Sequence, residues 1–356
     1  MRVALVGPPH SGKSSLFAAV AQAGGSGVDL SRPDQAHLAV VKVPDERLVW
    51  LADHYKPKKF TPAELEFLDL PGFDLSDEAG RARARNHWVA MRQSDMIALV
   101  VRDFPGGIVP AYRGRINAAS DIGELLAEMV FADMDQVTSR LEKLRAAVKK
   151  PTPKKDEYAH ELALMERLLG ALEAETPIAQ AVTSQAEEKL LRSFQFLSLK
   201  PVLVVVNCGE GALGDVTPPL AGTHPVICLS ARIEQELSQL DPAEREVFLA
   251  DLGITSPARD RLIRACYQQL NLVSFLTAGE DECRAWTIPA GTTAVVAAEE
   301  IHSDIARGFI RAETVAFADL LATGSMKAAK AAGKTRLEGK TYPVADGDVI
   351  NFRFNV

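Results

Sequence analysis

The sequence contains few cysteines, no long apolar run and no excess of positive charge. Four of its 356 residues are cysteines and no two of them form a CxxC pair, so we expect neither a zinc site nor a redox dithiol. No apolar stretch reaches the length of a membrane span and no signal peptide is recognisable, so we expect a reduced, cytoplasmic setting without membrane contact. The formal net charge of -7 argues against a chain that coats nucleic acid non-specifically, although it leaves room for a local basic face, and DNA is not an expected partner.

The length predicts more than one hydrophobic core. A chain of 356 residues exceeds one ordinary core, and two or three domains are therefore expected. Apolar residues make up 47% and charged residues 24%, an ordinary balance for a folded protein. We expect a monomer.

The first residues have the pattern of a parallel α/β sheet. An apolar run at 2–6 leads into a glycine-containing loop, and a segment with helical spacing of apolar residues follows. Strand, glycine loop and helix are the first unit of such a fold. Further strands are predicted at 65–69, 96–101, 201–206 and 225–229.

Two other segments interrupt or follow this pattern. Helical periodicity at 121–148 and 156–174, separated by a lysine- and proline-rich turn, predicts two antiparallel helices. The pattern changes near residue 273, and from Arg284 onward short strand-like runs alternate with alanine-rich helical pieces, which is typical of a small α+β domain. Asp346-Gly347 is predicted to form a turn before the last of these strands. The predicted domains are an α/β domain at 1–115 and 200–272, a helical hairpin insertion at 116–199, and a third domain at 273–356.

The loop after the first strand has the Walker A spacing, Gly7-x4-Gly12-Lys13-Ser14. Its glycines let backbone N–H groups approach phosphate oxygens, and the following helix directs its positive end at the same anion. Lys13 is expected to reach the β- and γ-phosphates, and Ser14 to bind Mg²⁺. The alternative is a glycine-rich turn without a ligand. The residues expected to contact a nucleotide here are Gly7, Pro8, Pro9, His10, Ser11, Gly12, Lys13, Ser14 and Ser15.

A DxxG sequence, Asp69 to Gly72, follows the predicted strand 65–69. Asp69 is expected to hold a water of the magnesium ion, and the Gly72 N–H to meet the γ-phosphate. An ordinary turn at the end of a strand is the alternative. Together with the Walker loop, this motif predicts a bound nucleotide triphosphate with Mg²⁺.

The strand at 201–206 ends in an NxxE sequence, Asn207 to Glu210, where GTPases carry NKxD. Glu210 is one methylene longer than aspartate, so it is not expected to form the same two hydrogen bonds with guanine. Hydrogen bonds to a charged group contribute roughly 1.5–3 kcal/mol each, and losing two removes most of a preference for guanine. Asn207 is a candidate contact for adenine. Ser230-Ala231 is predicted to belong to the loop that lies behind the base. A solvated loop at the strand end is the alternative.

In this order of motifs, the chain resembles the YchF/Obg-like ATPase family in the Obg branch of the translation-factor GTPases. NxxE is the mark of that family, and the segments SARIEQELSQLD, LIRACYQQLNLVSFLTAGEDECRAWTI and AGKTRLEGKTYPVADGDVINFRFNV look like family sequence. The resemblance implies a P-loop domain with a helical hairpin insertion and a C-terminal TGS domain of β-grasp type. It also implies slow hydrolysis of ATP or GTP and association with ribosomes.

Several positions depart from the family pattern. His10 replaces an asparagine of the Walker loop, no threonine is found near Pro33, and Ile108-Val109-Pro110 stands where the family has a histidine. A segment with Arg81, Arg83 and Arg85 replaces the glycine-rich switch II, and one of these is a candidate arginine finger in cis. A solvated basic stretch or a partner-binding face is the alternative. Catalytic residues are therefore not assigned. The two hypotheses are a slow ATPase or GTPase, and a nucleotide-dependent binding protein that does not hydrolyse.

Two basic patches are candidate contacts for RNA or the ribosome. The first lies at the turn of the predicted hairpin, and the second lies between 327 and 340 in the third domain. An ordinary charged surface is the alternative for both. The patches comprise Lys149, Lys150, Lys154 and Lys155, and Lys327, Lys330, Lys334, Arg336 and Lys340.

Overall fold

The computed structural model describes residues 1–23, 32, 34–105, 109–151, 153–209, 224–254 and 256–355. They form two compact units: residues 1–39 with 66–261, and residues 40–65 with 262–356. The division into three domains stays a prediction.

The strands of both units are numbered in chain order. They are β1 Arg2–Val6, β2 His37–Lys42, β3 Lys59–Thr61, β4 Glu64–Asp69, β5 Met96–Asp103, β6 Val202–Cys208, β7 Val226–Leu229, β8 Leu272–Ala278, β9 Glu282–Pro289, β10 Phe309–Ala316, β11 Arg336–Glu338 and β12 Asp348–Phe354.

The α-helices are numbered in the same way. They are α1 Lys13–Ala23, α2 Glu46–Tyr55, α3 Glu78–Arg85, α4 Trp88–Arg92, α5 Ala118–Val148, α6 Lys155–Glu173, α7 Ile178–Ala181, α8 Gln185–Leu191, α9 Ala231–Leu237, α10 Pro242–Asp251, α11 Ala258–Gln269, α12 Ala294–Ile301, α13 Ser303–Arg307, α14 Phe317–Thr323 and α15 Met326–Ala331. Within the described ranges, no helix combines the length and apolarity that crossing a bilayer requires.

The sheet of the first unit has the order β2-β4-β1-β5-β6-β7. β1 is parallel to β4 and β5, β5 is parallel to β6, and β6 is parallel to β7. Every residue of β6 is buried, as an interior parallel strand covered on both faces requires. The strands predicted from the apolar runs are confirmed, and β2 was not predicted. The loops at the carboxyl ends of β1, β4, β5 and β6 therefore meet at one edge, where open α/β sheets bind ligands.

Helices α5 and α6 form the predicted antiparallel pair, and the bounds agree with the periodicity to within a few residues. The pair has an apolar core of its own, separate from the core of the sheet. A bidentate ion pair between Arg140 and Glu161 joins the two helices. The core between them includes Val137, Leu141, Leu144, Leu164, Met165 and Leu168.

The second unit contains a mixed sheet in the order β11-β10-β12-β8-β9-β3. β8 and β9 form an antiparallel hairpin, β12 is parallel to β8, and β10 is antiparallel to β12. The strand-like runs predicted after residue 284 correspond to β9, β10 and β12, and the turn at Asp346-Gly347 precedes β12. Helix α2 belongs here because Leu48 and Leu51 pack into the same apolar core as Leu276 and Val349.

Candidate nucleotide site

The Walker loop joins the end of β1 to the start of α1, and its two glycines have no room for a side chain. A Cβ on Gly7 would lie 2.1 Å from the carbonyl oxygen of Val100 in β5. A Cβ on Gly12 would lie 2.0 Å from Nδ2 of Asn207, and Gly12 has a φ of +86°. Glycine is therefore required at both positions for the loop to pack against β5 and β6.

Lys13 and Asp69 form a buried ion pair at the centre of the site. The ammonium of Lys13 lies 2.6 Å from Oδ1 of Asp69, and the two residues are 5% and 3% exposed. Asp69 stands at the end of β4, directly beside Leu5 of β1. Each charge satisfies the other inside the fold, where an isolated charge is costly. The sheet thus brings together the lysine of the Walker loop and the aspartate of DxxG.

The DxxG turn packs directly against the Walker loop. The N–H of Phe73 donates to the carbonyl oxygen of Gly7 at 2.9 Å, and a Cβ on Gly72 would lie 3.0 Å from Cα of Pro9. The side chain of Phe73 is 1% exposed and lies in the apolar core. Phe73 therefore anchors the turn in the apolar core and presents no polar group to the site.

The side-chain amide of Asn207 ties the Walker loop to the loop after β7. Its nitrogen donates to the carbonyl oxygen of Ser11 at 2.9 Å, and its oxygen accepts from the N–H of Ala231 at 3.0 Å. Both ends of the amide are engaged with backbone, so the structure gives Asn207 a positioning role between loops. The predicted base-binding partner Glu210 lies outside the described residues.

Ser230 and Ala231 form the start of helix α9. The hydroxyl of Ser230 accepts a 3.5 Å hydrogen bond from the N–H of Ile233 and caps the helix, and both Ser230 and Ala231 are buried. This capping fixes the loop whose Ala231 N–H reaches Asn207. The order of motifs in the sequence therefore corresponds to one spatial cluster.

Two adjoining cavities open around the Walker loop and share His10, Gly12 and Ser15. The first, here called the Walker cavity, is about 600 Å³, and the second, here called the strand-end cavity, is about 690 Å³. The Walker cavity is lined by Pro8, Pro9, His10, Ser11, Gly12, Lys13, Ser14, Ser15, Asp34, Pro71, Gly72, Asp74, Gly80, Arg83, Ala84 and His87. The strand-end cavity is lined by His10, Gly12, Ser15, Arg102, Phe104, Pro105, Val109, Asn207, Cys208, Gly209, Ser230, Ala231, Arg232 and Gln235.

The wall of the strand-end cavity includes residues that the sequence pattern did not indicate. The guanidinium of Arg102 lies 4.4 Å from the centre of the Phe104 ring and donates to the carbonyl oxygens of Phe104, Val109 and Pro110. Arg102 is 5% exposed, so this contact is a fixed part of the wall. No local motif marks Arg102, which is the second-last residue of β5, or Phe104, which directly follows that strand.

Two of the positions at which the sequence departs from the family pattern, Pro33 and Ile108, lie outside the described residues. Asp34 is described and lines the Walker cavity. Of the three arginines on α3, only Arg83 lines this cavity, and Arg81 instead lies 3.3 Å from Glu128 of α5. His87, which the sequence did not indicate, lines the cavity as well.

Three features together define the class of protein: a glycine loop between strand and helix, a buried Lys–Asp pair, and two adjoining cavities. This is a P-loop nucleotide-binding protein with an α/β fold. The family model MMR_HSR1, described as "50S ribosome-binding GTPase", matches residues 2–134. The model YchF-GTPase_C, described as "Protein of unknown function (DUF933)", matches residues 272–355.

Curated relatives match over nearly their whole length. The chain is 38% identical over 363 residues to the "Ribosome-binding ATPase YchF" of Bacillus subtilis (strain 168), covering 99% of this chain and 98% of the relative. It is 37% identical over 361 residues to the protein of the same name from Escherichia coli O157:H7, covering 99% and 98%. The solved structure of the Schizosaccharomyces pombe YchF GTPase superposes with a TM-score of 0.84 at 27% identity, covering 99% of this chain and 97% of that one. The chain belongs to the YchF family.

Proposed function

We propose that this protein binds ATP or GTP with Mg²⁺ at the Walker loop, hydrolyses it slowly, and thereby controls its association with ribosomes or RNA. The observation that carries the proposal is the pair of cavities on either side of Gly12. The Walker cavity presents the ammonium of Lys13 beside backbone amides, as a triphosphate requires. The strand-end cavity, about 690 Å³ in volume, has Phe104, Pro105 and Val109 in its wall, against which a purine could pack.

ATP is the proposed preferred ligand. The substitution of glutamate for the guanine-binding aspartate, at Glu210, supports this preference from the sequence. The engagement of both ends of the Asn207 amide with backbone argues against Asn207 as a base contact. Discrimination against guanine is therefore proposed to come from Glu210. The ring of Phe104 is proposed to stack on the base, a contact that adenine and guanine would make equally well. The curated relatives are named ATPases.

Ser14 and Asp69 are the residues that would hold Mg²⁺. The side chain of Ser14 is exposed to the Walker cavity, and Asp69 lies behind it with one carboxylate oxygen on Lys13. Among the described residues there is no cluster of three His, Cys, Asp or Glu side chains that would cage an ion. Mg²⁺ fits such a sparse site, because it keeps several waters and takes substrate phosphates with one or two protein ligands. The bound ion would neutralise charge on the phosphates.

The second unit is proposed to be a TGS domain of β-grasp type, and the protein a member of the Obg branch. The order β11-β10-β12-β8-β9 supports this, since β12 runs parallel to β8 between antiparallel neighbours. Helices α12 and α13 lie between β9 and β10, and α12 contributes Ala294, Ala297 and Ala298 to an apolar core shared with strands of the sheet.

The hairpin turn is the proposed contact for ribosomal RNA. Lys149, Lys150, Lys154 and Lys155 are all exposed there. The second basic patch is largely neutralised instead. Lys330 lies 3.7 Å from Glu313, Lys334 lies 3.1 Å from Asp319, and Arg336 lies 3.2 Å from Asp348. The relatives named as ribosome-binding support an association with ribosomes, and we further propose that the protein is a cytoplasmic monomer.

Cosedimentation with ribosomes separates the two basic patches. Replacing the four lysines of the hairpin turn by alanine is expected to weaken binding and to lower the slope of log affinity against log salt, since fewer counterions are released. The matched control replaces Lys327 and Lys340 by alanine and is expected to bind as the wild type does. The opposite result would assign the contact to the second unit.

The burial of Phe73 favours a second candidate, a nucleotide-dependent binding protein that does not hydrolyse. Ras-like proteins have a water-orienting glutamine at this position, whereas Phe73 presents no polar group. Single-turnover hydrolysis with ribosomes present distinguishes the candidates. We expect phosphate release above the rate without protein. Nucleotide binding without any phosphate release would leave the second candidate in place of the first.

A further inference from the structure

One face of helix α3 and the turn after it lines the Walker cavity. Gly80, Arg83, Ala84 and His87 lie on this face at helical spacing. The backbone stays helical up to His87, because its N–H donates to the carbonyl oxygen of Ala84 at 2.9 Å. The side chains of Arg83 and His87 therefore project into the same cavity as Lys13 and Gly72, where the γ-phosphate of a bound triphosphate would end.

The imidazole of His87 is held in a defined position. Its ring stacks on Phe73, with 5.8 Å between ring centres and 23° between planes, and Phe73 packs edge-on against Trp88. Phe73 is itself fixed by its hydrogen bond to Gly7. The buried phenyl ring after DxxG thus supports a polar ring that faces the cavity. No hydrogen bond from the described residues to the ring nitrogens of His87 is present.

His87 is surrounded by charged groups from several elements. These are Lys13 of α1, Arg83 of α3, and His10, Asp34 and Asp74 of the loops that line the cavity, with Asp69 of β4 behind Lys13. Burial and the positive charge of Lys13 lower the pKa of His87. The imidazole is therefore neutral at neutral pH and has a nitrogen lone pair available to accept a proton.

The three arginines of α3 differ in their surroundings. Arg81 is directed to Glu128 of α5, and Arg85 is exposed on the side of the helix away from the cavity. Arg83 is the one that lines the cavity, among the described residues of this helix. Arg83 is therefore the arginine of this helix that could act in cis on the transferred phosphoryl group.

We propose that His87 and Arg83 are the hydrolytic residues of this site, His87 accepting a proton from the attacking water and Arg83 stabilising charge on the γ-phosphoryl oxygens. This inference rests on the proposed function. A bond forms between the water oxygen and the γ-phosphorus, and the bond from that phosphorus to the β–γ bridging oxygen breaks. The electron pair of the broken bond leaves with the nucleoside diphosphate. The proton passes from the water to a ring nitrogen of His87 and then to solvent.

The test combines single-turnover hydrolysis of Mg²⁺-ATP, with ribosomes present, and calorimetric measurement of ATP affinity on the full chain. His87→Phe keeps an aromatic ring against Phe73 but has no proton acceptor, and we expect a rate about 10²–10⁴-fold lower. For Arg83→Ala we expect a rate lower by about 10³-fold or more. Both variants should bind ATP within about twofold of wild type, and the matched control Arg85→Ala should keep the wild-type rate.

The pH profile provides a readout that a structural role would not change. The wild-type rate should fall as the pH drops through the lowered pKa of His87, below about 6.5, because the protonated imidazole accepts no proton. This acid limb should be absent from the residual rate of His87→Phe. Thermal unfolding of each variant verifies that it folds.

Three results would overturn the inference in different ways. Hydrolysis by the wild type that His87→Phe and Arg83→Ala leave unchanged would overturn this inference alone. A wild-type chain that binds ATP but never releases phosphate would overturn the proposed hydrolysis and this inference together. If either variant lost ATP affinity by as large a factor as it lost rate, the substituted residue would act in building the site and not in hydrolysis.

Discussion

Nδ2 of Asn207 donates to the carbonyl oxygen of Ser11 at 2.9 Å, and this bond fixes the last turn of the Walker loop to the end of β6. The oxygen of the same amide accepts from Ala231 at 3.0 Å. The buried side chain of Asn207 therefore holds the Walker loop, which lines both cavities, and the loop at Ala231, which lines the strand-end cavity. Because its partners are backbone groups, the position depends on an amide and not on which base is bound.

Replacing Asn207 is expected to weaken nucleotide binding of either purine. Asn207→Ala removes two buried hydrogen bonds, each contributing about 0.5–1.5 kcal/mol, and leaves both backbone partners unsatisfied. We expect calorimetry to show lower affinity for ATP and GTP by a similar factor. Asn207→Asp keeps the acceptor for Ala231 but removes the donor to Ser11, and it should also bind weakly. A change in ATP affinity alone would restore a base-reading role for Asn207.

Asp69 is expected to stabilise the nucleotide-free protein through Lys13. Asp69→Asn leaves the ammonium of Lys13 buried without its counter-charge, and we expect the free energy of unfolding to fall by about 3–5 kcal/mol. The double variant Lys13→Met with Asp69→Leu buries no charge at this point and should be more stable than Asp69→Asn. Urea denaturation without nucleotide measures both. Equal losses in the two variants would contradict a paired role.

Asp133 is expected to be a structural residue of the helical hairpin. Its fully buried carboxylate accepts hydrogen bonds from the N–H of Leu197, from the N–H and hydroxyl of Ser198, and from Arg92, at 2.7–2.9 Å. Asp133→Ala should lower the free energy of unfolding by about 3–5 kcal/mol. The exposed Asp135 on the same helix is the matched control, and Asp135→Ala should stay within about 0.5 kcal/mol of wild type. Similar effects of the two substitutions would refute this assignment.

Glu210 is expected to set the choice of purine. Glu210→Asp shortens the side chain by one methylene and restores the aspartate that GTPases use to bind guanine. We expect GTP affinity to rise relative to ATP in competition titrations. If the ratio of the two affinities stays at the wild-type value, base selectivity resides elsewhere in the pocket.

The sequence predicted those parts of the fold that local patterns determine. The Walker loop, the DxxG turn and the apolar strands each occupy a few consecutive residues, and the structure brings them to one edge of the sheet. Strand β3 was not predicted, because its partner is far away in the chain. Lys59 pairs with Glu282 and Thr61 with Arg284, and no periodicity in a short window indicates such a contact.

The sequence did not single out Arg83 and His87 as hydrolytic candidates, because their surroundings also depend on contacts between distant parts of the chain. Helix α3 has the sequence EAGRARAR, which contains no large apolar residue from which to infer its buried face. The sequence therefore did not distinguish Arg83 from Arg81 and Arg85, and it gave no signal for His87. Only the tertiary structure shows that Arg83 lines the Walker cavity and that the ring of His87 stacks on Phe73.

Calorimetric titration of the purified chain with ATP in the presence of Mg²⁺ is the most direct test of the proposed site. The wild type should show saturable binding of one ATP per chain, with weaker binding of GTP. Lys13→Ala, verified as folded by thermal unfolding, should show no measurable binding, because the ammonium that meets the β- and γ-phosphates is gone. Binding by Lys13→Ala with the wild-type affinity, or no binding by the wild type, would contradict a triphosphate seated on the Walker loop.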